Sequence, residues 1–190
     1  KATGAREVNF IGYCLGGTLL GATLGYLAEK KQNRVASATF FVSLLDFSQP
    51  GELGVFIDEQ QVANLERKMN ERGYLEGSEM AGTFNLLRAN DLIFNYVVSN
   101  WLMGQKPPAF DILAWNADGT RMPADMHSFY LRCCYVENQL ARDTMTLAGT
   151  ELHLKRVKAD AYILAARQDA DFATIANQPA IEKLLYPEKA

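Results

Sequence analysis

Between Glu7 and Glu29 the chain reads EVNFIGYCLGGTLLGATLGYLAE, and no other stretch limits the possible folds as tightly. A short apolar run, Val8-Asn9-Phe10-Ile11, suits a buried strand, and a turn through Gly12-Tyr13-Cys14-Leu15-Gly16 leads into a helix-length segment. Gly17, Gly21 and Gly25 recur at every fourth position, which lays nearly bare backbone along one helix face. A glycine inside a helix costs up to about 1 kcal/mol relative to alanine, so close packing on a sheet is the expected compensation. Leu20, Leu24 and Leu27 fill the adjoining stripe, while Lys30 and Lys31 complement the negative end of the helix dipole. Phe10 to Ala28 holds no charged residue and has the length of a membrane span with a Gly-x-x-x-Gly seam. The turn glycines fall where a strand must become a helix, and they favour the strand–turn–helix reading.

Gly-x-Cys-x-Gly has the form of a nucleophile elbow, with cysteine where serine is usual. In such a turn the nucleophile is strained between strand and helix, and flanking residues without Cβ atoms let the chains pass closely. Cys14 is therefore expected at the carboxyl edge of a sheet, with the Leu15 N–H at a helix N-terminus. That amide and the helix dipole favour a thiolate and would stabilise an acyl oxyanion.

The bulk numbers bound the rest. With 190 residues, 48% hydrophobic and 22% charged, the chain has the balance of one globular domain with an insertion. A net charge of −3 without a basic block argues against nucleic-acid binding. Three cysteines, two of them adjacent at Cys133 and Cys134, make no disulfide framework and fit a reducing cytoplasm. The start, KATGAREVNF, lacks both the layout of a signal peptide and an initiator Met, and reads as the interior of a longer protein. No metal-ligand cluster or phosphate loop is present, so no cofactor is expected.

Along the chain, Val35 to Leu45 predicts a second buried strand, parallel to the first, followed by a loop in which Asp46 is a turn residue or a substrate-binding candidate. The strand–helix alternation then stops. Asp58-x-x-Gln61 opens a helix with Val62, Leu65 and Met69 inward and Gly73 as its stop. A second helix is predicted over 90–103, with Leu92, Tyr96, Val97 and Trp101 on its buried side. A third comes after Pro123, where Met126, Phe129, Tyr130, Cys133, Val136 and Leu140 keep helical spacing. The core pattern returns with Leu152-His-Leu as a short strand and Ala159 to Ala165 as a buried one. Arg167-Gln168-Asp169 comes next, and Asp169 is the candidate acid. The organisation is thus a core over 1–48, a mostly helical cap over 49–148 and a return to the core over 149–190. Its fold class is α/β: an α/β-hydrolase-like parallel sheet with a nucleophile elbow.

Several blocks together resemble the poly(3-hydroxyalkanoate) synthases, close to the class I type. They are Gly12-Tyr-Cys-Leu-Gly-Gly-Thr18, Leu44-Leu-Asp-Phe47, Leu87-Arg-Ala-Asn-Asp-Leu-Ile-Phe-Asn-Tyr-Val-Val98, Phe110-Asp-Ile-Leu-Ala-Trp-Asn116, Phe129-Tyr-Leu-Arg132 and Glu137-Asn-Gln-Leu140. They run in family order over about residues 7–169. The resemblance implies that Cys14 accepts the acyl group of a 3-hydroxyacyl-CoA as a thioester and that Asp169 is the triad acid. It implies a cytoplasmic, granule-associated homodimer, with Trp115 at the dimer contact and a growing polyester as product. Phe94, Tyr96, Trp101 and Trp115 are candidates to shield the intermediate from water, although core packing is the commoner fate of helix-spaced aromatics. Two other readings are a cysteine-containing α/β-hydrolase of thioesterase or lipase type, and a truncated or non-catalytic synthase fragment.

The chain departs from the family after Asp169. Ala170-Asp171-Phe172-Ala173-Thr174 stands where a histidine, an apolar pair, Pro and Trp are expected, and the later Gly-His step has no counterpart. His127 and His153 are the chain's two histidines, and neither is assigned as the base. The stretch 172–190 matches no family segment.

Overall fold

The computed structural model describes residues 4–107, 109, 111, 114–115, 118–167 and 174–189. The apolar run near the start extends as β1 (Val8–Tyr13), and the chain turns at Cys14 into α1 (Leu15–Glu29). β2 (Val35–Phe41) lies parallel to β1, with Gly12 opposite Phe40 and Tyr13 opposite Phe41. The strand is four residues shorter than expected, because Val42 takes a φ of +43° and leads the chain out of the sheet. A late strand, Asp160–Leu164, pairs parallel with β2 on its other side, Phe41 opposite Leu164. The result is a mixed α/β structure with a three-stranded parallel sheet in which β2 is central.

The chain divides into two compact units, residues 1–58 with 130–190, and residues 59–129. The first contains the parallel sheet; the glycine face of α1 crosses β1 at Gly12 and Gly17 and further along meets Leu45 and Leu152, which lie outside the strands. A Cβ at Gly21 would fall 2.5 Å from Leu45 Cδ2, and one at Gly25 would touch Leu152. Phe40, Leu45, Leu152, Leu154, Ile181 and Leu185 are the centre of its core. Leu152 and Leu154 belong to no strand. They come after a hairpin of β5 (Thr146–Leu147) and β6 (Thr150–Glu151), and a 3-10 turn over Leu154–Arg156 sends both leucines inward. The late strand, β7 (Asp160–Leu164), leads through Ala165 to Arg167 at the sheet's carboxyl edge.

The second unit is helical. α2 (Glu59–Arg72) buries Val62 and Met69, with Leu65 packed beside them, and Gly73 stops it at a φ of +83°. β3 (Tyr74–Leu75) pairs with β4 (Met122–Pro123), and α3 (Gly77–Leu87) forms where the sequence pattern predicts no helix. The expected helix over 90–103 forms as two π-helical segments, Asn90–Phe94 and Val97–Leu102. Its expected buried side is open: Trp101 is 86% exposed, and Leu92 and Val97 also face solvent. α4 (Ala124–Phe129) buries Ala124 and His127 rather than Met126 and Phe129. His127, Leu131 and Cys134 are thus buried one residue out of step with Met126, Tyr130 and Cys133, while Leu140 is buried as the periodicity predicts and Tyr130 and Cys133 pack partly buried against the core. The first unit resumes with π-helical Tyr130–Val136, and α5 (Thr174–Leu185) closes it. Among the described residues no helix is long and apolar enough to cross a membrane, so the span read from 10–28 is a strand and a helix instead.

Candidate active site

The three parallel strands end side by side, and the turns and loops at their carboxyl ends build the site. Cys14 comes directly after β1 with φ +52° and ψ −121°, a conformation that non-glycine residues adopt rarely. Its N–H donates to the Phe41 carbonyl oxygen at 3.0 Å, and its own carbonyl accepts from Gly17 N–H at 2.9 Å. Both bonds fix the strained residue from the two sides of the turn. A Cβ at Gly12 would lie 2.6 Å from the Gly17 Cα and one at Gly17 would lie 1.8 Å from Ser43 Oγ, so those two glycines permit the crossing. Gly16 does not serve this purpose, since a Cβ there would meet nothing within 4 Å. Leu15 is the first residue of α1, and its N–H has no acceptor within the helix.

Cys14 is half-buried and takes part in no disulfide. It lines a small niche with Leu15, Thr18, Val42, Leu44 and Tyr130. Larger grooves, of about 510 and 660 Å³, lie beside β7 and α5 and around the C-terminal end of α1, and neither includes the cysteine. The niche is the candidate site because it joins a cysteine thiol to a strained backbone and a helix N-terminus. Two non-glycine residues with positive φ, Cys14 and Val42, line it together, and such strain tends to concentrate at functional sites.

The far wall of the niche is the loop after β2. Thr18 Oγ1 donates to the Leu44 carbonyl at 2.7 Å, and Ser43 Oγ donates to the Phe41 carbonyl at 3.0 Å. The Asn177 side-chain oxygen accepts from the N–H groups of Leu45 at 3.0 Å and Asp46 at 3.2 Å, while its amide nitrogen donates to the Asp46 carbonyl. The Asn138 side-chain oxygen accepts from Phe47 N–H at 3.0 Å, and its nitrogen donates to Asp46 Oδ1 at 2.8 Å. Burial pushes the Asp46 carboxyl up, but donation from Ser48 and Asn138 and the charge of Arg142 outweigh it and hold Asp46 below its ordinary value. Phe47 then packs edge-on against Tyr130 and Tyr135, with ring centroids 6.1 and 4.8 Å away. The Tyr130 hydroxyl is 3.5 Å from that of Tyr135, and burial raises both phenols, Tyr135 to about 12.

The residues singled out from the sequence divide between the units. Cys14, Leu15 and Asp46 lie in the first, whereas Phe94, Tyr96 and Trp115 fall in the second. Phe94 is 56% and Trp115 75% exposed. Asp169 lies outside the described residues. His153 points its ring at Glu29, 2.9 Å from Oε1, beside the Arg156–Glu29 ion pair. Glu29 is the last residue of α1, roughly 20 Å from Cys14 at a rise of about 1.5 Å per residue. His153 therefore has a structural partner at the wrong end of the helix to act on the cysteine. His127 is buried with no partner for Nδ1. Burial also raises the other two thiols, Cys133 and, to about 12, Cys134. Thr18, Tyr130, Asn138 and Asn177 are site residues that the sequence pattern does not single out. Thr18, Tyr130 and Asn138 carry a signal, since each lies in one of the quoted blocks, and Asn177 carries none. Among the described residues no group of three or more His, Cys, Asp or Glu is placed to hold a metal.

Fold and niche together define an α/β protein with a cysteine at a strand-to-helix turn on the carboxyl edge of a parallel sheet. No family model matches the chain. It is 54% identical over 169 residues to the poly(3-hydroxyalkanoate) polymerase subunit PhaC of Rhizobium meliloti (strain 1021), covering 89% of this chain and 28% of that protein. The poly(3-hydroxyalkanoate) polymerase of Methylorubrum extorquens is 53% identical over 168 residues, 88% of this chain and 28% of the polymerase. Poly(3-hydroxyalkanoate) polymerase 1 of Ectopseudomonas oleovorans is 42% identical over 168 residues, 88% of this chain and 30% of its own. Over that span the chain is similar to the poly(3-hydroxyalkanoate) polymerases, as its motifs imply. It covers less than a third of the length of these relatives.

Proposed function

We propose that this chain carries the nucleophile of an α/β-hydrolase-like acyltransferase that polymerises 3-hydroxyacyl-CoA. The observation that supports this most is the geometry of Cys14, at φ +52° between β1 and α1 with the Leu15 N–H beside it. In this reading the Cys14 thiolate attacks the carbonyl carbon of the acyl-CoA thioester. The new S–C bond forms at Cys14, charge collects on the carbonyl oxygen near Leu15 N–H, and the bond to CoA breaks. CoA leaves with the proton that Cys14 gave up. An incoming 3-hydroxyl group then attacks the Cys14 thioester, forming an ester and freeing the thiolate, while a base takes the hydroxyl proton. Asp169 is the proposed acid that orients this base, a role we assign to neither His127 nor His153.

The aromatic residues of the second unit, Phe94, Tyr96 and Trp115, are proposed to belong to a cap that excludes water from the thioester; of the span 49–148 read from the sequence, 49–58 and 130–148 fold with the first unit instead. Pairing of two copies through the Trp115 segment and work at the surface of a cytoplasmic polymer granule complete the proposal. The test is to incubate the protein with 3-hydroxybutyryl-CoA and monitor free CoA and products. Release of CoA with formation of ester-linked oligomers, abolished by Cys14→Ala, is expected. Free 3-hydroxybutyrate as sole product would indicate a thioesterase and overturn the polymerase reading.

A further inference from the structure

We propose that Asn177 is a positioning residue for the cysteine site: from α5 it sets the loop that forms the far wall of the Cys14 niche. The inference rests on the reading of Cys14 as the nucleophile, but its physical content is local. The loop after β2 leaves the sheet at Val42, whose φ of +43° is unfavourable for a β-branched residue. Such a conformation persists only when its surroundings over-determine it. Ser43, Leu44, Leu45 and Phe47 are buried, so the backbone polar groups here need partners inside the protein.

Asn177 supplies three of them. It is 3% exposed, accepts from two successive N–H groups, and returns its amide to the Asp46 carbonyl. Asn138 performs the matching task on Phe47 N–H and the Asp46 carboxylate. Two side chains, 39 positions apart in sequence, thus hold three consecutive residues from opposite ends. That held segment follows Leu44, which lines the niche, and ends in Phe47, which packs on Tyr130, itself a niche residue. A shift of the Leu45–Asp46 peptides therefore moves both walls against which the Cys14 sulfur sits. Thr174, 1% exposed, accepts from Ala166 N–H at 3.3 Å and ties the start of α5 to the end of β7. This anchor gives Asn177 a fixed base from which to hold the loop. Losing the Asn177 side chain would strand one buried and two part-buried backbone groups at once, a larger perturbation than losing one hydrogen bond.

Reactivity of Cys14 measures the effect without relying on turnover. Chains carrying Asn177→Ala, Asn177→Asp and the packing control Ile181→Val would be treated with iodoacetamide between pH 6 and 9. Peptide mass analysis separates Cys14 from Cys133 and Cys134. Rates are read at a temperature where denaturation curves show every variant folded. Asn177→Asp retains the two acceptor bonds and loses the donor. The expected order of Cys14 alkylation is wild type, then Asn177→Asp, then Asn177→Ala. Asn177→Ala should change the rate by about tenfold or more, the scale on which ångström-level misplacement acts, and Ile181→Val should leave it unchanged. Wild-type pH–rate profiles in folded Asn177→Ala would overturn the proposal; if that variant does not fold, a wild-type profile in Asn177→Asp overturns it. Acylation by 3-hydroxybutyryl-CoA run alongside separates the two readings. Altered alkylation with no acylation even of wild type would leave Asn177 as a positioning residue and remove the polymerase function.

Discussion

A methyl group at Gly12 would lie 2.6 Å from Gly17 Cα and one at Gly17 would lie 1.8 Å from Ser43 Oγ, whereas one at Gly16 would enter open space. The three positions, close together in the same turn, should therefore answer differently to alanine. Gly12→Ala and Gly17→Ala are expected to lower stability in chemical denaturation by about 1–3 kcal/mol, the range of overpacked sites. Gly16→Ala should be neutral or stabilising, by up to about 1 kcal/mol, because alanine is the better helix former. Equal losses at all three would contradict the crossing of β1 and α1. A second residue-level expectation concerns His127, which is buried with Nδ1 unpartnered and whose pKa burial lowers. The unfolded chain binds the proton near pH 6.5 and the folded one only at lower pH, so stability is full above about pH 6.5. It then falls as the pH drops toward the folded value. Urea midpoints from pH 8 to 5 should show this decline, and His127→Leu should flatten it. A decline undiminished in the variant would assign it to other groups.

At the scale of elements, the strand–turn–helix around Cys14 is legible because its signals are local: an apolar run, turn glycines and a four-residue glycine period. The end of β2 is not. Val35 to Leu45 is rich in β-branched and aromatic residues, yet the strand stops at Phe41, because Thr18, Ser43, Asn138 and Asn177 hold the next residues in another path. Propensity cannot express a bond from a residue more than a hundred positions away. The α period misreads the helices of 90–103 and 130–136, because π-type bonds such as Met103 N–H to the Val98 carbonyl reset which side faces inward. Two-residue strands such as β5 and β6 are too short to carry an alternation. α5 escapes a pattern reading since Pro179 lies inside it, where proline normally argues against a helix. Shortening Ile181 or Leu185 of this helix, each 1% exposed, to alanine should cost about 2–5 kcal/mol, as for other core truncations. A loss near zero would mean that α5 does not pack on the sheet.

For the whole molecule, both outer strands of the parallel sheet present apolar groups to solvent: Ile11 is 70% exposed, Tyr13 69% and Tyr162 60%. Among the described residues β1 and β7 each pair only with β2. Unpaired edges with apolar side chains promote association, and lysine on an edge opposes it. Light scattering of the 190-residue chain should rise with concentration in the range of tens of micromolar, and Ile11→Lys with Tyr162→Lys should suppress the rise. A wild-type chain that stays monodisperse would show that these edges are inert. The site itself is half legible in the sequence. Cys14 and Leu15 come from one local motif, but Asn138, Asn177 and the Tyr130–Tyr135 pair become neighbours only through the fold.

The central claim is that Cys14 is the group that takes the acyl chain. Intact mass after incubation with 3-hydroxybutyryl-CoA, combined with peptide mapping, tests it directly. The account predicts one added hydroxybutyryl group per chain, or a ladder of them, attached at Cys14 and absent in Cys14→Ala. A folded protein that remains unmodified, or carries the group on Cys133, Cys134 or elsewhere, would contradict it.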